Sequence, residues 1–251
     1  STSSAASDVY KRQKWQLALD MLDARAEWGL DDLVVLADAG YGEVREFRLG
    51  LVEREREYVV GIRSTATVWA RGRLPESPEQ RQARQREGAS GRPRTGWQRD
   101  LTPETVKALA ADLPASKWHH YVWNNGQGGE REGRFAALRV RHAYRAGSGK
   151  PPGDEQWLLI QWNEEDDEPS HYWFSNLPDD ESVGRLVYLA KLRWRIERDY
   201  QEMKGELGLD HFEGRTWSGF HHHCAMVAAA HAFLALERAL FPPGPDLAAG
   251  L

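Results

Sequence analysis

The chain has 251 residues, of which 41% are hydrophobic and 28% are charged. That length fits one large domain or two small ones. The 11 Trp, 8 Tyr and 7 Phe exclude a largely disordered chain, and the single Cys excludes a disulfide scaffold and a cysteine-built zinc site. No apolar run approaches the roughly 20 residues that cross a bilayer, so we expect no membrane partner. The net charge of −5, taken alone, argues mildly against a nucleic-acid-binding protein.

The N-terminal residues Ser1–Gln13 are small and polar, and they lack the apolar segment of a signal peptide. The string Ser3–Gln13 resembles the in-frame translation of a sequencing adapter. We therefore expect residues 1–13 to be a disordered artefact and native sequence to begin near Lys14. We also expect native residues upstream that this sequence lacks.

From Lys14 onward the hydrophobic pattern predicts an α/β unit. Apolar residues at helical spacing precede Gly29, which is typical of a helix C-terminus. The unbroken apolar run 33–37 predicts a strand buried on both faces, and it ends in the glycine-containing turn Asp38–Gly42. The order of elements predicts a mixed or parallel sheet. The predicted elements are a helix over 14–26, a strand over 33–37, a helix over 43–55 with Val44, Phe47 and Leu51 inward, and a strand over 58–62.

Residues 64–180 are expected to form a β-rich insertion. The segment Arg71–Asp100 is rich in Arg, Gln, Gly and Pro without a period, which predicts a mobile loop, and Thr102-Pro103 is expected to begin a short helix. The acidic run Glu164–Glu168 could bind a cation, although a solvated hairpin tip is the simpler interpretation. Alternating and apolar stretches predict an antiparallel meander with strands at 120–123, 134–141, 157–162 and 171–174.

Most of seven Trp residues are expected to lie in the core of this insertion. The alternative for one of them is a platform on which a DNA base stacks. They are Trp69, Trp97, Trp118, Trp123, Trp157, Trp162 and Trp173.

The last third predicts two helices, over 181–207 and 219–240, ended by Gly208 and Pro242. The histidine run 221–223 is not expected to bind zinc, since consecutive helical residues point about 100° apart.

Two carboxylates carry the candidate chemistry. Glu197 shares a helix face with Arg193 and Lys204, beside an apolar stripe that could face the core. The alternative is a set of i,i+4 salt bridges on a solvated face. Asp38 ends a strand, where α/β sheets place ligand-binding groups, although it could instead cap a turn. Together the two carboxylates suit a Mg²⁺ or Mn²⁺ pair about 4 Å apart, which can activate a nucleophile at a phosphodiester.

The blocks Val34–Gly42 and Leu189–Arg215 resemble the second-aspartate and glutamate motifs of DDE transposases, closest to the IS4 and IS701 insertion-sequence groups. The glutamate signature reads Tyr-x2-Arg-x3-Glu-x6-Lys, and Arg193, Glu197 and Lys204 match its last three members. Ala190 stands at the Tyr position, which is a departure from the family pattern. The resemblance covers about Trp15 to Leu240.

The resemblance implies an RNase H-like α/β fold, interrupted by a β-rich insertion that contacts transposon-end DNA. It implies two-metal, Mg²⁺-dependent cutting of transposon ends and strand transfer to target DNA, with Asp38 and Glu197 as catalytic metal ligands. Arg193 and Lys204 would contact the DNA backbone. Further DNA contacts are expected from Tyr41, Arg195, Arg198 and Arg215.

The family's first catalytic Asp belongs to an earlier strand, which would lie upstream of Lys14. We therefore expect the chain as given to bind metal poorly and to be inactive. The intact protein is expected in the bacterial cytoplasm as a homodimer in its synaptic complex. The expected domains are residues 1–13 (disordered), 14–63 (RNase H-like core), 64–180 (insertion), 181–241 (C-terminal helices of the core) and 242–251 (tail).

Two other functions remain open, a non-catalytic DNA-binding remnant and a carboxylate-pair glycoside hydrolase. Basic neighbours disfavour the hydrolase, because they hold Glu197 ionised and disable it as a general acid. The charge distribution favours DNA binding. Lys191–Lys204 holds five basic and three acidic residues, and Arg71–Asp100 holds eight and four.

Overall fold

The computed structural model describes residues 12–29, 33–86, 96–98, 100–124, 129–144 and 151–241. Contacts divide the chain between Leu192 and Arg193 into two compact units. Within the described residues, no helix is both long and apolar enough to cross a bilayer. The expected artefact segment lies outside the described residues except for Arg12 and Gln13, and the expected tail lies entirely outside them.

The first unit begins with the α/β unit that the sequence predicts. Two parallel strands, β1 and β2, are connected through two helices, and Gly29 ends the first helix with a φ of +71°. Phe47 and Leu51 are buried, as expected from their helical spacing. The elements are α1 (Lys14–Ala26), β1 (Val35–Ala37), α2 (Ala39–Gly42), α3 (Arg45–Glu53) and β2 (Tyr58–Ile62).

The remaining strands extend the same sheet in antiparallel fashion and confirm the predicted meander. The order is β1-β2-β8-β7-β6-β3-β4, with β5 paired to β6. The strands are β3 (Thr67–Ala70), β4 (Glu104–Thr105), β5 (His119–Asn124), β6 (Glu130–His142), β7 (Glu155–Trp162) and β8 (His171–Ser175). The helices of this part are α4 (Pro78–Arg86), α5 (Val106–Ala111), a 3₁₀ turn (Ala115–Lys117) and α6 (Val183–Lys191).

Both faces of the sheet are covered by helices. Successive residues of a strand point to opposite faces, so Val59 and Leu159 pack on one side while Val60 and Leu158 pack on the other. Helices α1, α3 and α5 contribute to the Val60 side, and α6 contributes to the Val59 side. Of the seven Trp residues expected in the core, Trp69 is buried and the other six are half-buried.

Three local predictions are wrong. Strand β1 is half-buried rather than buried, because it lies at the sheet edge and pairs with β2 alone among the described strands. The segment 71–100 contains α4, although residues 87–95 and 99 lie outside the described part. The helix expected from Thr102 begins instead at Val106, because the Thr105 side chain accepts from the Ala108 N–H and caps it.

The single helix predicted over 181–207 is also wrong. It is interrupted at Leu192–Arg193, and α7 (Trp194–Gly205) begins in the second unit. The α6 half is held by buried apolar residues such as Leu186, whereas α7 has no buried residue in the described structure. The expected core stripe fails there, since Ile196 is 46% exposed.

The second unit consists of α7 and α8 (Trp217–Leu240), with Thr216 capping α8 through the Gly219 N–H. Pro242, the expected end of this helix, lies outside the described residues.

Candidate functional site

Asp38 lies directly after β1 and opens the short helix α2. Its Oδ1 atom accepts from the Gly40 N–H at 2.9 Å, and its carbonyl accepts from the Gly42 N–H at 2.8 Å. The side chain is exposed, and its second carboxylate oxygen has no hydrogen-bond partner within the described structure. Asp38 is therefore a helix cap that still offers one oxygen to a ligand.

The turn that carries Asp38 is held closely against the sheet. A Cβ atom added at Gly42 would lie 1.9 Å from the carbonyl oxygen of Gly61 in β2. Arg48, which is buried, donates from Nη1 to the Gly42 carbonyl oxygen. Two glycines and one buried arginine thus fix the position of this turn.

Glu197 lies in the first turn of α7, in the second unit. Its Oε1 atom accepts from Arg193 Nη2 at 3.0 Å, and the side chains are 63% and 45% exposed. The i,i+4 salt bridge expected for a solvated face is therefore present. The second carboxylate oxygen of Glu197 has no partner within the described part of the chain.

The other residues expected to contact DNA differ in their surroundings. On α7, Arg195 lies over the Trp194 ring at 5.9 Å, and Arg198 pairs with Glu202 at 3.2 Å. Lys204 and Arg215 are exposed. Tyr41 belongs to α2, where its half-buried ring packs 5.4 Å from Phe47.

The sequence did not point to the environment of Lys191. Its ammonium group lies 4.6 Å from the Trp123 ring and 5.1 Å from the Trp173 ring, and it donates to Gln161 Oε1. Burial lowers the pKa of Lys191 from 10.5 to about 8. Burial, and then the Lys191 charge, lowers the pKa of His171. Lys191 and His171 both line a cavity of about 740 Å³. These contacts come from three strands, so no local signal could have found them.

A second cluster lies beside this cavity. His120, Glu132 and Glu164 bring potential ligand atoms within 4.8 Å of one another, although all three side chains are exposed. Glu164 belongs to the acidic run Glu164–Glu168, for which a cation site is the alternative to a solvated hairpin tip. The helical histidines make other contacts, since His223 lies 2.9 Å from the Gly208 carbonyl oxygen and His231 lies 3.6 Å from Asp199.

Asp38, in the first unit, and Glu197, in the second, each offer the donor type that a hard divalent cation prefers. Each keeps one carboxylate oxygen without a hydrogen-bond partner among the described residues, and Mg²⁺ and Mn²⁺ prefer such oxygens.

Comparison with known families gives a match. The DDE superfamily endonuclease family matches residues 3–130, about half of the chain. The matched range contains Asp38 and strands β1–β5 and ends before Glu197. It begins within the segment that resembles an adapter, whose interpretation stays a prediction. A search of curated proteins gave no match.

The family and the fold agree. The mixed α/β sheet, with helices on both faces, is that of an RNase H-like DDE nuclease, as the resemblance implied. Members of this family are nucleases or transposases that act on DNA and generally use divalent metal ions. The chain belongs to the DDE superfamily endonucleases.

Proposed function

We propose that the protein is a DNA transposase of the IS4/IS701 type, which cuts transposon ends and joins them to target DNA. The observation that carries the proposal is Asp38, which lies at the carboxyl end of β1 in the family-matched range with one free carboxylate oxygen. The Arg193, Glu197 and Lys204 spacing supports the assignment to this transposase group.

Asp38 and Glu197 would hold the divalent metal ions. When bound, such ions activate a water or 3′-hydroxyl and stabilise the leaving oxygen of a phosphodiester. The cap bond from Gly40 orients Asp38, and the hydrogen bond from the Arg193 guanidinium orients Glu197. Lys204 and Arg195 are exposed cations that can contact backbone phosphates.

The proposal includes a third metal ligand from a strand upstream of Lys14. The proposal also includes a homodimer, which would join two transposon ends in the bacterial cytoplasm. For the sequence as it stands, non-catalytic DNA binding is the second candidate function. The exposed arginines of α7 favour this second function, because they can bind DNA phosphates without a metal ion.

A matched pair of substitutions at Asp38 separates its cap from its charge. Asn caps helices about as well as Asp, so the free energy of unfolding of Asp38→Asn should lie within about 0.5 kcal/mol of the wild-type value. Asp38→Ala should lower the free energy of unfolding by about 1 kcal/mol. Both variants should abolish Mg²⁺-dependent cleavage, since neither leaves a carboxylate. Asp112→Asn, at the exposed end of α5, is the control and should cleave normally.

The cleavage assay uses the protein expressed with its upstream coding sequence, and DNA that carries the ends of its own genomic element. We expect Glu197→Gln to bind these ends but not to cut them. Mg²⁺-dependent cutting retained by Glu197→Gln or Asp38→Asn would refute the assignment. An upstream sequence with no Asp at the end of a predicted strand would refute it independently.

A further inference from the structure

Arg48 carries a buried charge that no carboxylate of the described residues neutralises. The residue is 2% exposed in α3, and its Nε and Nη2 atoms have no hydrogen-bond partner among the described residues. Its Nη1 atom alone is used, as the donor to the Gly42 carbonyl oxygen. No carboxylate of the described residues lies within 4.0 Å of the guanidinium, so a buried cation stands without a counter-ion there. Such a charge costs free energy unless it is paired.

The surroundings of Arg48 are aromatic and cationic. The guanidinium carbon lies 5.5 Å from the Phe174 ring and 6.0 Å from the Tyr144 ring, and Arg45 lies over the Tyr144 ring at 4.3 Å. Aromatic faces stabilise a cation only partly and do not accept all of its N–H groups.

His142 does not supply the missing negative charge. Its ring stacks on Tyr144 at 4.2 Å, and its buried Nδ1 atom also has no partner among the described residues. Burial, followed by the charges of Arg48 and Arg45, lowers the pKa of His142 from 6.5 to about 3, so the ring is neutral at pH 7.

A cavity of about 200 Å³ adjoins this cluster. Arg45, Arg48, Tyr58 and Tyr144 line it together with Asn176. Its volume exceeds that of one water molecule, which takes about 30 Å³ of liquid volume, and it can hold a small oxyanion.

Two carboxylates, Asp154 and Glu155, also line the cavity. Asp154 is exposed, and Glu155 lies 4.0 Å from both Arg139 and Arg71. Both are therefore partly compensated by solvent or by other cations, whereas Arg48 is 2% exposed and pairs with no carboxylate of the described residues.

We propose that this cavity is a binding site for a small oxyanion, a phosphate or carboxylate group that pairs with the Arg48 guanidinium, with Arg45 as the second cation. A guanidinium presents N–H groups in parallel, which is the arrangement that binds two oxygens of one oxyanion. Since Nη1 holds the Gly42 carbonyl oxygen, the bound anion would also fix Arg48 in the position that supports the Asp38 turn. The site is separate from the carboxylates proposed for metal binding, so it stands or falls independently of the transposase proposal.

The first test measures melting temperature at constant ionic strength, with chloride exchanged for inorganic phosphate or for acetate. At ten times its Kd, an anion that binds only the folded state should raise the melting temperature by about 3–5 °C. Arg48→Met should abolish this increase, and Arg45→Met should reduce it. Arg185→Met is the control, because Arg185 is an exposed residue of α6 paired with Glu181 and should respond like the wild type.

The two anions distinguish the possible sources. An increase with phosphate alone indicates a phosphate ligand, and an increase with acetate alone indicates a carboxylate. No increase with either anion, or an equal increase in Arg48→Met, would overturn the proposal and leave a trapped water as the occupant.

A second measurement does not depend on a variant that might unfold. Wild-type crystals soaked in tungstate, a phosphate analogue with a strong anomalous signal, should show a peak in the cavity beside the Arg48 guanidinium. A soaked crystal with ordered density for Arg48 and no peak in the cavity would overturn a phosphate site. The corresponding test for carboxylate is a bromoacetate soak, read from the bromine signal.

Discussion

Substitution of Gly42 by Ala tests the packing that positions Asp38. The added Cβ would lie 1.9 Å from the Gly61 carbonyl oxygen and 3.1 Å from the Val60 Cβ. Both contacts belong to β2, which is hydrogen-bonded on one side to β1 and on the other to β8. To remove this clash, α2 would have to move by about 1 Å, because the clashing atom of Gly61 belongs to the backbone and cannot rotate away as a flexible side chain would.

We expect Gly42→Ala to lower the free energy of unfolding by about 1–3 kcal/mol, the usual cost of overpacking. For a chain of this length, that corresponds to a melting temperature lower by roughly 3–10 °C. The assay is thermal and urea unfolding followed by circular dichroism. The displaced α2 turn should also weaken divalent-metal binding at Asp38, if the proposed site is correct.

Two other glycines provide matched controls. A Cβ at Gly50 would lie 2.4 Å from Leu19 Cδ1, which is the end of a flexible side chain, so Gly50→Ala should cost less than Gly42→Ala. A Cβ at Gly205 would meet no atom within 4 Å, and Gly205→Ala should be neutral or slightly stabilising. The reasoning is refuted if Gly42→Ala melts like the wild type, or if Gly50→Ala is the less stable of the two.

Three further predictions concern single side chains. Because the pKa of Lys191 is lowered from 10.5 to about 8, the unfolded chain binds more protons between these values, so the free energy of unfolding should rise with pH across that window, by about 1–3 kcal/mol. Urea titrations at several pH values should show a smaller rise in Lys191→Met, and an identical slope would contradict the buried position. Arg193→Ala should change stability by less than about 0.5 kcal/mol, since its pair with Glu197 is exposed, yet it should weaken DNA binding in a salt-dependent way. Unchanged DNA affinity measured by fluorescence anisotropy would argue against its role. Leu158→Ala should cost about 2–5 kcal/mol because the side chain is fully buried in β7, and a loss below about 1 kcal/mol in urea unfolding would show that the core collapses around it.

Local patterns determined much of the first unit. The helix before Gly29, the β2 strand and the strands of the meander follow from periodicity that neighbouring residues carry. The chemical type of the candidate site was also available, because Asp38 ends a strand and Glu197 lies in a recognisable spacing. The family match covers the range that contains Asp38, and the roles of Asp38 and Glu197 stay a prediction.

The ends and interruptions of helices and strands were harder to predict from the sequence. The helical period continues from Val183 to Gly205, yet the helix is interrupted at Leu192–Arg193. One half is packed on the sheet, and the other half belongs to another unit. Similarly, β1 has the composition of a buried central strand, but its position at the sheet edge leaves it half-exposed.

The sequence by itself determined most helices and strands of the first unit, and which carboxylates and cations the protein carries. The tertiary structure alone decided which polar groups are buried together. Lys191 is surrounded by aromatic rings from three strands, and Arg48 lies buried beside Tyr144 and Phe174, about 100 residues or more away in the chain. Their burial and charge depend on contacts between distant segments, which no local pattern encodes.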